Sequence, residues 1–172
     1  MVGDKSTAVQ AIRSEDVRRA RLHRRVGIGL LLTFLALGAT NVFGVRTSVA
    51  SARGGGYRLE VVHAAVTRPG LATPWSVRVT SAGGFDGPIT LATTARYFDL
   101  FDENGLDPDP AASTSDGDLL IWEFDPPPGD VLEVSFDARL GPAVQVGKRA
   151  TTSVLVDDRP VVSVSYRTWV MP

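Results

Sequence analysis

The chain has no cysteine, two histidines and two lysines in 172 residues. Without cysteine there is no disulfide framework, no thiol nucleophile and no thiolate zinc site. No Gly-x-Ser-x-Gly occurs, and neither Lys5 nor Lys148 follows a serine by three residues, so two common acyl-transfer signatures are missing. Gly27-x-Gly29 sits inside an apolar run and opens no phosphate loop. Two further absences organise the chain. Val26 to Val45 contains no charged residue, and Asp99 to Asp130 contains no Lys or Arg.

The uncharged run is bracketed by Arg24-Arg25 and Arg46. At 1.5 Å per residue it covers about 30 Å, the thickness of a bilayer hydrocarbon core. Eleven of its residues are Leu, Ile, Phe or Val, favouring insertion by about 3–7 kcal/mol. A single transmembrane helix over 26–45 is expected. Residues 1–25 carry seven Lys/Arg against three Asp/Glu, whereas residues 46–172 carry eleven against sixteen. Arg18, Arg19, Arg21, Arg24 and Arg25 therefore act as topology determinants that hold the N-terminal segment in the cytoplasm. In this arrangement His23 and His63 lie on opposite sides of the bilayer and cannot share a metal ion. Ala50-Ser51-Ala52 has the small-x-small form of a signal-peptidase site. Arg24-Arg25 could open a twin-arginine signal, but its neighbours fit poorly. The apolar run exceeds a signal-peptide core, so a retained anchor is expected.

Residues 8–25 favour a helix without a convincing apolar stripe. Ala36, Thr40 and Gly44 repeat every four residues, a spacing that lets membrane helices approach closely; helix association, including a homo-oligomer, is the corresponding expectation. Residues 46–56, ending in Arg53-Gly54-Gly55-Gly56, read as a flexible tether.

From Tyr57 the hydrophobic period changes to two. YRLEVVHAAV, WSVRVT, ITLATTARYF, LLIWEF, VLEVSFDARL, TTSVLV and VVSVSYRTWV are about seven strands separated by Gly, Pro, Asp or Asn. His63 alternates with Val61 and Ala65 and reads as a packed strand residue. Residues 57–172 are expected to form an all-β, antiparallel Ig-like sandwich outside the cytoplasmic membrane. With no disulfide between its sheets, Trp75 or Trp122 would pack on aliphatic side chains alone. An exported domain without cysteine points to a bacterial envelope.

Trp122-Glu123-Phe124, Pro127-Pro128-Gly129, the alternating VLEVSF and Gly147 leading into TTSVLV together resemble the Ig-like modules of bacterial envelope proteins. In that family a strand ending Trp-x-Phe/Leu precedes a Pro-Gly turn, and a glycine opens a later strand. The resemblance covers residues 119–170. It implies adhesion, spacing or partner docking rather than catalysis, and the long acidic insertion departs from it.

That insertion offers one chemical alternative. Asp99, Asp102, Glu103, Asn104, Asp107 and Asp109 could supply oxygens to calcium, although the spacing does not match an EF-hand. A solvated acidic loop is the plainer reading. Paired-carboxylate glycosidase chemistry lacks the scaffold it needs. Tyr97, Phe98 and Phe101 beside the loop are candidate partner anchors. The basic N-terminal segment has no interleaved aromatics, so nucleic acid is not an expected partner. The expected partners are the bilayer and another membrane or envelope protein. The sequence thus points to a non-catalytic, single-pass interaction module or accessory subunit, ahead of a calcium-dependent binding domain and an exported enzyme.

Overall fold

The computed structural model describes residues 5–39, 44–102, 105–144 and 146–171. The chain divides into two units, Met1–Phe43 and Gly44–Pro172. The first contains helix α1, Lys5–Ala39, which carries the basic segment and most of the apolar run on one continuous helix. Its stretch Arg18–Ala39 is long and apolar enough to cross a membrane, with a mean hydropathy of 1.3. The helix starts earlier than expected, and the apolar run does not stay helical to its end, because Gly44 and Val45 lie outside it. Gly44 therefore cannot share a helical face with Ala36, and Thr40 lies outside the described residues. The Thr33 hydroxyl donates to the Gly29 carbonyl at 2.9 Å. That bond satisfies a hydroxyl which would otherwise be costly on an apolar helix.

The second unit is all-β apart from one helical turn. Its strands are β1 (Arg46–Gly54), β2 (Tyr57–Thr67), β3 (Ala72–Ser81), β4 (Ile89–Thr94), β5 (Phe101–Asp102), β6 (Leu106–Asp107), β7 (Ala112–Ser115), β8 (Leu119–Phe124), β9 (Val131–Leu140), β10 (Arg149–Val156), β11 (Arg159–Arg167) and β12 (Trp169–Val170). Helix α2 is the turn Ala95–Phe98. One sheet runs β1-β2-β3-β9-β5, with β6 on β9 and β12 parallel to β2; the other runs β11-β10-β4-β8-β7. All other pairings are antiparallel.

The expected tether is in fact strand β1, paired with β2 along its whole length. The Gly-rich stretch that suggested flexibility supplies the hairpin turn. Gly54 pairs with Tyr57, leaving Gly55 and Gly56 as a two-residue loop with φ of 56° and 85°. Positive φ at both positions is what a type I′ hairpin requires, and glycine meets it without steric cost. Asp157 and Asp158, with φ of 50° and 60°, make the equivalent turn between β10 and β11. The stretch ITLATTARYF is also not one strand. After Thr93 pairs with Thr152, the Thr94 hydroxyl accepts from the Thr151 backbone N–H at 3.0 Å, and the chain turns into α2. VVSVSYRTWV breaks in the same way at Thr168, between β11 and β12.

The core lies between the sheets. Leu59, Val61, Val77, Val79, Val134 and Leu140 from one sheet meet Leu91, Phe124, Val154 and Val162 from the other. Trp75 does not rest on aliphatic groups alone. It meets Phe98 edge-on at 5.1 Å and Trp122 at 6.1 Å, while its indole N–H donates to the Tyr166 hydroxyl at 2.9 Å. Tyr166 also bonds Thr152 at 3.0 Å, and Thr152 bonds Thr93 at 2.9 Å. This buried chain joins β3 to β11, β10 and β4. His63 is buried and stacks on Tyr166 at 4.9 Å; its Nδ1 donates to the Ala64 carbonyl.

Candidate functional site

The insertion between β4 and β8 builds the site. Because α2 departs from the sheet, Tyr97 turns fully into the core, where its hydroxyl bonds Thr168 at 2.7 Å. Thr168 in turn donates to the Ala64 carbonyl at 2.7 Å. Burial holds the Tyr97 and Tyr166 hydroxyls protonated well above the usual tyrosine range, against the opposing effect of their hydroxyl partners. Tyr97 is thus a core residue and not a surface anchor. Phe101, on β5, is 8 % exposed and also closes the core.

Phe98 differs from these two. It is half-buried, and its ring stands edge-on to Trp122 at 5.4 Å and to Phe136 at 5.4 Å. It bridges the two sheets at their open side, where aromatic edges meeting aromatic faces are favourable. Around it lies a groove of 490 Å³, lined by Phe98, Phe101, Leu106, Leu120, Trp122 and Phe136, with Asp99 and Ser113 among its polar members. Strand β9 presents Phe136 only half-buried, although alternation places it with the core set, because the facing sheet has given way to the groove. Leu106 reaches the groove because β6 pairs with β9 opposite Phe136. Trp122 and Ser113 face each other across β8 and β7 on the other side.

The rim is acidic, but its carboxylates do not converge. Asp99 pairs with the Lys148 ammonium at 2.8 Å. Asp102 stands opposite Arg139 in the β5–β9 register. Asp107 is exposed on β6 and Asp109 is exposed beyond it. Among the described residues no group of three His, Cys, Asp or Glu side chains could hold a metal ion. Glu103 and Asn104 lie outside the described residues. The acidic stretch borders the groove through Asp99. Its apolar members, Leu106 and Pro110, are what it brings into the groove.

Of the groove's lining, Phe98 and Phe101 were legible in the sequence, whereas Leu106, Leu120, Trp122 and Phe136 were not. The available signal was Leu106, an isolated aliphatic residue in a run of carboxylates, with no strand partner evident nearby. Gly147, part of the envelope-domain resemblance, has a packing reason: a Cβ there would collide with the Thr168 carbonyl oxygen. The arginines at 18, 19, 21, 24 and 25 are all exposed on α1. No protein-family model matches the chain, and no curated protein matches it either.

Proposed function

We propose that this protein is a single-pass membrane protein whose sandwich, of the Ig-like Greek-key type, docks a partner polypeptide outside the cytoplasmic membrane. The observation that carries the docking reading is the open aromatic groove around Phe98. Its walls come from both sheets, and its mostly apolar, aromatic lining suits a partner segment with an apolar anchor. Among the described residues no group of three His, Cys, Asp or Glu side chains could hold a metal ion, which favours docking over metal binding at this groove. The Greek-key assignment is supported by strand order. β3 and β9 are neighbours in one sheet, and the strands that follow the crossings, β4 and β10, are neighbours in the other.

A retained anchor is supported by the position of Ala50-Ser51-Ala52 within β1. Cleavage after Ala52 would strip most of that strand and leave the β2 edge unpaired. The basic flank of α1 supports an N-terminus inside.

The docking reading is tested with a photo-crosslinking residue at Ser113 in membranes of producing cells. A discrete protein adduct is expected, and Leu106→Lys should abolish it without changing the near-ultraviolet circular dichroism. Absence of an adduct, or one indifferent to Leu106→Lys, would refute the groove as a docking site.

A further inference from the structure

We infer that the end of the sandwich where β1 begins rests on the headgroups of an anionic bilayer, with Trp169 inserted among them and the Arg149–Arg167 pair holding lipid phosphate. This rests on the single-pass reading above.

Little chain separates the apolar run from the first strand. Val45 closes the apolar run and Arg46 is already the first residue of β1. The five links from Ala39 to Gly44 reach about 18 Å at most. A strand that starts where the apolar run stops leaves the near end of its sheet no room to stand far from the lipid.

That end also exposes apolar and aromatic side chains. Register fixes its members, since Arg46 and Trp169 both stand opposite Val66. Trp169 is 52 % exposed, Met171 47 % and Leu71 39 %. Met171 and Leu71 belong to the same end, because the Met171 N–H donates to the Thr67 carbonyl and Leu71 lies in the β2–β3 turn. By contrast, Trp75 and Trp122 are buried. A tryptophan with aliphatic neighbours and arginines is the composition of a membrane interface, where an amphipathic ring sits at headgroup level.

Arginines gather at the same end. Arg149 and Arg167 stand directly opposite each other on β10 and β11. Like charges at that position repel unless an anion lies between them. The Arg167 guanidinium lies 3.3 Å over the Trp169 ring, and its buried Nε has no hydrogen-bond partner. A phosphate oxygen held between the two guanidinium groups would relieve their repulsion. The same end also holds Asp99, paired with Lys148, and Asp102, opposite Arg139, with Asp118 beside Ala95, whereas at the opposite end the turn residues Asp86, Asp125, Asp130, Asp157 and Asp158 outnumber Arg53 and Arg159. Strand β2, at eleven residues, separates the two ends by about 33 Å. An anionic surface therefore meets Arg46, Arg149 and Arg167, which form no ion pair among the described residues, at one end and a mostly acidic set of turns at the other.

The test uses the full chain in vesicles of phosphatidylethanolamine and phosphatidylglycerol, some carrying lipids brominated near the headgroup. Flotation with the vesicles comes first; a chain that stays behind defeats the single-pass reading and this inference with it. For a chain that floats, tryptophan emission should be quenched, and Trp169→Phe should remove the quenched component. Because the protein has no native cysteine, single labels at Val146→Cys and Asp158→Cys provide an independent pair. The first should be quenched several-fold more than the second. Replacing phosphatidylglycerol with phosphatidylcholine, or introducing Arg149→Glu, should weaken the quenching several-fold. A floating protein with unquenched Trp169 and equal labels overturns the inference while leaving the anchor intact. Quenching indifferent to anionic lipid, or a dimer cross-link through Val146→Cys in place of quenching, overturns it too.

Discussion

Replacing Tyr166 with Phe removes one oxygen from the centre of the sandwich and isolates its effect cleanly. That oxygen accepts the Trp75 indole N–H at 2.9 Å and bonds Thr152 at 3.0 Å. Thr152 keeps its second partner, Thr93, at 2.9 Å. The Trp75 N–H keeps nothing, on a side chain only 1 % exposed. A buried donor left unsatisfied costs about 1–3 kcal/mol, and the added phenyl character recovers little of it. The expected loss is therefore about 2 kcal/mol. For a unit of about 130 residues that lowers Tm by roughly 7 °C. The assay is thermal unfolding followed by near-ultraviolet circular dichroism of the full chain in detergent. Because α1 contains no Trp or Tyr, the Trp and Tyr bands of this signal report the sandwich. Repeating the substitution in a Trp75→Phe background should shrink its effect by about 1 kcal/mol or more, since the orphaned donor is then gone. A Tyr166→Phe loss within about 0.5 kcal/mol of zero, or one unchanged in the Trp75→Phe background, would refute the claim that this bond is dry and unreplaced.

Three other predictions follow from particular residues. Burial lowers the His63 pKa below its ordinary 6.5, against the opposing Ala64 carbonyl. The unfolded chain then binds a proton before the folded one does, so stability falls as pH drops below about 6.5 and recovers above it. Urea titrations at neutral and mildly acidic pH should show His63→Gln removing that part of the slope; an unchanged slope would sink the assignment. Gly147→Ala forces a Cβ onto the Thr168 carbonyl oxygen, whereas Gly87→Ala meets nothing within 4 Å. The first should cost about 2 kcal/mol or more and the second nearly nothing, by denaturant midpoint. Removing residues up to Ala52 should expose the β2 edge and promote aggregation, and mass spectrometry of the membrane-bound species should find the uncleaved chain. A soluble, cooperative product lacking β1 would contradict both expectations.

The sequence by itself determined the elements whose signal is local. An uncharged run marks an apolar helix wherever it sits, and period-two alternation marks strands such as β2, β8 and β9 before any partner is known. The same alternation identified His63 as a packed residue. Tertiary structure alone decided the rest. Strand β1 carries a small-residue, polar sequence, RTSVASARG, with little pattern of its own; it is a strand because β2 offers it a complete ladder. Three glycines allow flexibility and a type I′ turn equally well, and only the flanking pairing selects the turn. Tyr97 and Phe98 are neighbours in sequence, yet the α2 turn buries one and leaves the other at a groove. Phe136 looked like its core-facing companions on β9 until the opposite sheet failed to cover it. Of the carboxylates that looked like a ligand set, Asp99 is drawn to Lys148 and Asp102 stands opposite Arg139, placements that no spacing rule encodes. A groove is a property of two sheets meeting, and its lining is drawn from positions whose closeness depends on every pairing between them.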